Sequence, residues 1–177
     1  MAIAAISDGE AGSSVRTKLN ALIALANLGW TEVILGSDVT NSSVNNVDVT
    51  GLAFTPAANK IYAVEVDLIV SSVITTTGVR PGVTPPGGTA MTAAYTQAIS
   101  SGVLALFTFG TTNDSTNIKS GAIGHPANSI KALDRILARV ISGATPSGTF
   151  QITVATEIDT SAVTVHAGSS LRYREVA

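Results

Sequence analysis

Glu65 and Asp67 are the first residues whose type and spacing suggest chemistry. They lie two positions apart in KIYAVEVDLIV, residues 60–70, so a strand would place both carboxylates on one face. Paired acids can divide general-acid and general-base work, but only inside a cleft that separates their protonation. No such cleft is written around them, and a solvated or interfacial face is the better reading. His125 and His166 stand 41 positions apart, and with no cysteine in the chain neither has a partner at metal-ligand spacing. His166 falls in the turn VTVHAGSS and His125 precedes Pro126, so both read as surface or interface residues. There is no GxSxG elbow, no P-loop, no GxGxxG after a strand and no HExxH. No catalytic residue, metal or cofactor is expected.

The arginines are better placed for specific contacts. Arg80 sits in a Gly/Pro-rich stretch, and Arg172 and Arg174 alternate with Leu171, Tyr173 and Val176 near the C-terminus. Guanidinium groups pair readily with carboxylates across interfaces, which makes Arg80, Arg172, Tyr173 and Arg174 candidate subunit-interface residues. A charged strand edge that discourages aggregation is the competing reading. Two NxS/T sequons, at Asn41 and Asn113, mark polar loops; MAIAAISDGE has neither the basic start nor the apolar length of a secretory leader.

The elements that must position these residues are mostly strands. One helix is predicted over 13–28, where Val15, Leu19, Leu22, Ile23 and Ala26 recur at helical spacing, with Ser13 or Ser14 as cap and Gly29 after the end. After Gly29 the texture turns β, with short β-branched runs between Gly, Asn and Pro. KIYAVEVDLIV is the cleanest strand, with Tyr62, Val64, Val66, Leu68 and Val70 on one face. Residues 75–89, with three prolines and four glycines, read as a long loop. IKALDRILARVI, residues 130–141, fits a helix slightly better than a strand by periodicity alone. TFQITVATEI and AVTVHAGSSLRYREV are strands, with ATPSGT and HAGSS as turns. Seven to nine strands behind one helix make a sandwich or barrel. The expected division is an arm and helix over 1–29 and a β-sandwich over 30–177.

Composition narrows the function. The 177 residues hold 12% charged and 45% apolar side chains, with mean hydropathy +0.39 and net charge −2. Ten scattered basic residues argue against nucleic acid, and no polybasic run or long apolar stretch points to a membrane. A chain this poor in charge is expected to cover much of its surface with other subunits.

Two stretches carry a resemblance. SDGEAGSSVRTKLNALIA, through Asp8, Gly9, Glu10, Gly12, Ser14, Arg16, Lys18 and Asn20, resembles the opening segment of many phage tail-fibre and particle-surface proteins. The runs VILGSDVTNSS, VDVTGLAFTPAANKIYAVEVDLIV, TTTGVRPGV and GATPSGTFQITVATEIDTSAVTVHAGSSLRYREV look like a β-sandwich module of phages and prophages. Outside residues 84–128 the likeness spans most of the chain. It implies a jelly-roll-like antiparallel β-sandwich preceded by a short N-terminal helix, assembling as a homotrimer, with IKALDRILARVI as a strand. It further implies a virion location and a structural role, decorating the head or forming part of a fibre; relatives of this kind often sit at fibre tips, but the short chain and the absence of a coiled-coil or repetitive shaft favour a capsid cement or decoration subunit on the major capsid protein. Arg16, Lys18, Leu19, Leu22 and Ile23 are then the candidate attachment residues, and 84–128 the outward part. A tail-fibre or spike module binding a host surface glycan is the alternative, with Tyr95 as its candidate sugar-stacking residue.

Overall fold

The computed structural model describes residues 12, 15–19, 29–74, 76–98, 104–112, 118–119, 123–124 and 131–176. Residues 15–19 are helical, as expected; Leu22, Ile23 and the remainder of the expected helix lie outside the described residues. The alternation in KIYAVEVDLIV becomes β4 (Ile61–Ser72), with Tyr62, Val64, Val66, Leu68 and Val70 buried. On one side β4 pairs with β10 (Ala132–Ser147) and on the other with β13 (Ser170–Glu175) and, farther along, β12 (Val163–Val165).

The sheet continues through β6 (Gly87–Ala98) and β7 (Leu104–Thr112) beyond β10. At its other edge β1 (Thr31–Ile34) pairs with β13, while β2 (Val39–Asn41) pairs with β12. The second sheet runs β3 (Val47–Phe54), β11 (Phe150–Thr156) and β5 (Gly78–Thr84), with β8 (Ile118–Lys119) and β9 (Ile123–Gly124) both on β5. Every pairing is antiparallel. The chain crosses repeatedly between the layers, for example β2 to β3 to β4 to β5 to β6, which makes the fold a jelly-roll-like sandwich.

The core fills the space between the sheets. Four rings stitch one end of it. Phe54 and Phe150 from the second sheet meet Tyr62 and Tyr173 from the first, with Phe54 stacked on Tyr173 at 4.1 Å between centroids. Tyr95 lies fully buried on β6, and its hydroxyl donates to Asp134 Oδ2 at 2.6 Å. Burial and the adjacent carboxyl both push the Tyr95 phenol well above its ordinary range.

Four expectations are corrected. Residues 75–89 are not one loop: β5 and the start of β6 occupy most of them. Pro81 stands opposite Val154, and on its other side it falls between the residues that pair with β8 and those that pair with β9, so no described ladder bond there needs its missing N–H. ATPSGT is not a turn, since β10 runs on to Ser147 and the hairpin narrows to Gly148 and Thr149. Asn41 is no polar-loop residue: it is buried, and its amide donates to the Ser43, Asn45 and Val154 carbonyls. Thirteen strands are described instead of seven to nine, because β2, β8, β9 and β12 are pieces of two or three residues.

Candidate functional site

Residues 132–141 of IKALDRILARVI form the first part of β10, and the strand separates what a helix face would have merged. Ile136 and Val140 turn inward with Asp134, while Leu133, Arg135, Leu137, Arg139 and Ile141 turn to the outer face of the first sheet. Leu133, Leu137 and Ile141 are 57%, 44% and 47% exposed, an aliphatic row with no strand or helix laid over it among the described residues. Water-facing aliphatics in such a row cost solvation that a partner surface would recover.

The neighbouring strands supply the charges. The register sets Arg172 of β13 beside Glu65 of β4, and Asp67 of β4 beside Arg135 of β10. Arg135 grips Asp67 with two nitrogens, Nε at 2.8 Å and Nη2 at 3.2 Å, and Arg172 binds Glu65 through both Nε and Nη2. Hydrogen bonding to Asp67 and its charge raise the Arg135 guanidinium above its ordinary value. Ion pairs this exposed add little stability. Their effect is to hold the side chains in place, so the face carries oriented charges along the β4 side of an apolar row.

Arg139 and Arg174 interrupt that balance. Both flank Ala63, one from each side, and neither meets a carboxylate among the described residues. Arg174 lies over the Trp30 ring at 4.9 Å, beside Arg172 at 5.3 Å, as cation–π pairs.

A second constellation sits where β12 meets the end of β4. Asp38 Oδ2 lies 2.9 Å from His166 Nδ1, and His166 Nε2 lies 2.8 Å from Ser71 Oγ. In the neutral ring, an Nδ1–H donated to Asp38 leaves Nε2 to accept the Ser71 proton, the order of an acid–base–nucleophile array. Ser71 is only 2% exposed, paired in the sheet opposite Thr164, so a substrate has no approach to its oxygen. What the array does is tie the β1–β2 loop to β4 and the β12–β13 turn. Sequence spacing gave no sign of it, because its members are 33 and 95 positions apart and meet only through β12 pairing.

The expected interface residues divide. Arg172 and Arg174 lie together on the outer face of the first sheet. Tyr173, between them, points inward to stack on Phe54. Arg80 is half-buried on the other sheet, with its Nε buried and without a hydrogen-bond partner among the described residues. Of the attachment residues, Arg16 and Leu19 are exposed and Lys18 is half-buried on the helical residues 15–19. Of the glycan reading's aromatics, Tyr95 is core and cannot stack on a sugar. A groove of about 330 Å³ beside Pro85, Pro86 and Gln151 has its Gln151 amide already donating to the Val49 and Ile152 carbonyls. No group of metal-ligating side chains is present among the described residues.

The fold and this face define a β-sandwich with one decorated outer sheet. No family model matches the chain, and no curated protein does. Among solved structures it is similar to that of the infectious bursal disease virus Gt strain, at 14% identity and TM-score 0.22, over 84% of this chain and 38% of that one. The VP2 subviral particle of infectious bursal disease virus follows at 12% identity and TM-score 0.21, over 84% and 37%. The chain therefore spans well under half the length of the virus proteins it matches.

Proposed function

We propose that this chain is a structural subunit of a virus particle, acting by assembly instead of catalysis. More narrowly, it is a bacteriophage head decoration or cement protein that forms a homotrimer on the particle surface and braces the shell. The observation that carries the reading is the outer face of the first sheet, where an exposed aliphatic row on β10 is bordered on its β4 side by side chains held in cross-strand ion pairs. That arrangement suits a permanent protein–protein contact, whose centre is apolar and whose charges arrive already oriented. The low charge of the whole chain and the resemblance carried by Asp8–Asn20 support the same conclusion. Residues 1–29 would attach the trimer, and many copies would let modest single contacts suffice.

The test is the abundance of the chain in purified particles, by quantitative mass spectrometry against the major capsid protein. A ratio near one copy per capsid subunit, or a simple lattice fraction of it, is expected. A few tens of copies would move the protein to the tail or a vertex, and absence from particles would overturn the reading.

A further inference from the structure

The outer face of the first sheet sets the aliphatic row of β10 beside the ion-paired Glu65, Asp67, Arg135 and Arg172, and it carries two cations with no carboxylate partner among the described residues, Arg139 and Arg174, on either side of Ala63. A complementary surface would be apolar, narrow enough to enter between them, and acidic on its flanks. The same chain presents one. Between β11 and β12 the tip Glu157–Ile158–Asp159 stands exposed, with Ile158 about half exposed between its two acids, and Val73 and Ile74 exposed nearby.

The tip is held in shape. Glu157 Oε2 accepts from the Gly78 amide at 2.9 Å, the Ser161 amide donates back to the Ile158 carbonyl at 3.1 Å, and the Thr160 amide donates to Ser42 at 2.7 Å. Thr160 adopts φ 70°, a conformation that β-branched residues rarely take and that its surroundings must enforce. Asp159 has no ion-pair partner among the described residues.

From this charge complementarity we infer that the Glu157–Asp159 tip of one copy docks on the outer face of the first sheet of the next, Ile158 seated between Arg139 and Arg174 beside Leu137 and Ile141. This rests on the assembly reading above and deepens it by naming both surfaces of the subunit contact. The contact is heterologous, face to tip, so repetition around a rotation axis closes it into a ring, and a threefold axis makes it a trimer. It also explains why the face's two unmatched charges are both positive. Their counterions belong to the neighbour, and pairing across the contact orients the copies.

The test is the mass of the full-length chain in solution, by light scattering and native mass spectrometry, for wild type, Arg139→Glu, Asp159→Arg and the double variant. Both residues are exposed, and circular dichroism checks that each variant keeps the fold. Wild type is expected as a trimer, each single variant as a species associating about tenfold or more weakly, as close interfacial charge reversals do. The double variant should recover association fully, while an equimolar mixture of the two singles should recover it in part, because alternating chains satisfy two of the three contacts in a threefold ring. Single variants that keep the wild-type mass, or a double variant that fails to recover, overturn the face-to-tip contact. A wild type that is monomeric at micromolar concentration instead overturns the assembly reading itself.

Discussion

The carboxylate of Asp38 takes the Ala167 amide on Oδ1 at 2.7 Å and His166 on Oδ2 at 2.9 Å, although its side chain is half exposed. The amide bond first and the His166 bond second hold its pKa below the ordinary aspartate value of 3.8. A carboxyl depressed on folding contributes stability that is fully present above its unfolded value and is lost as pH falls through the folded one. Asp38→Asn should therefore lie below wild type in melting temperature at neutral pH, with the gap closing as pH falls below about 4. Thermal melts from pH 7 to pH 2.5 check this, and a gap that stays constant would show that Asp38 acts without its charge. The same scale explains what was hidden in the sequence. The outward placement of Glu65 and Asp67 was legible from strand alternation, but their partners Arg172 and Arg135 are brought by other strands. Asp38, His166 and Ser71 likewise carry no common motif.

Among the elements, β10 shows how alternation can be overruled by appearance. Its aliphatics fit a helical face because two sets of apolar residues, one for the core and one for the outer surface, interleave at a spacing that imitates 3.6. A strand whose outward side is also apolar loses the polar alternation by which it is recognised. β4 keeps that alternation, and it was readable without help. The Gly/Pro run failed for another reason. Its glycines are not chain breakers here but allow β6 and β10 to run against each other: a Cβ on Gly143 would lie 2.9 Å from the Gly88 carbonyl oxygen, and Gly88 itself holds φ 68°. Gly143→Ala must push that backbone apart and should cost about 1–3 kcal/mol, the usual range for overpacking. Urea denaturation monitored by circular dichroism measures it, and a cost below about 0.5 kcal/mol, the scatter of ordinary surface substitutions, would show that the crossing is loose.

Taken whole, the molecule is closed by its ends. β1 begins the first sheet and, among the described residues, pairs only with β13, Thr31 opposite Tyr173, while β13 also covers β4 from Tyr62 to Asp67 and buries Leu171. Removing residues 170–177 would leave β1 without a partner and one long flank of β4 bare. Such a chain should lose its cooperative thermal transition and bind a hydrophobic dye, measured by calorimetry and fluorescence; a sharp transition near the wild-type temperature would show that β13 is dispensable. The layered crossing pattern was legible only as a fold class, since strand order depends on contacts far apart in sequence. That closure also has a history in time. A nascent chain emerges at about 5–20 residues per second, and β1 lies about 140 residues before the strand that completes it, so the growing polypeptide spends roughly 7 to 28 seconds with unfinished edges. Until β13 emerges, those open edges are where a nascent chain is exposed to aggregation, so protection of them during synthesis is a step at which yield can be lost.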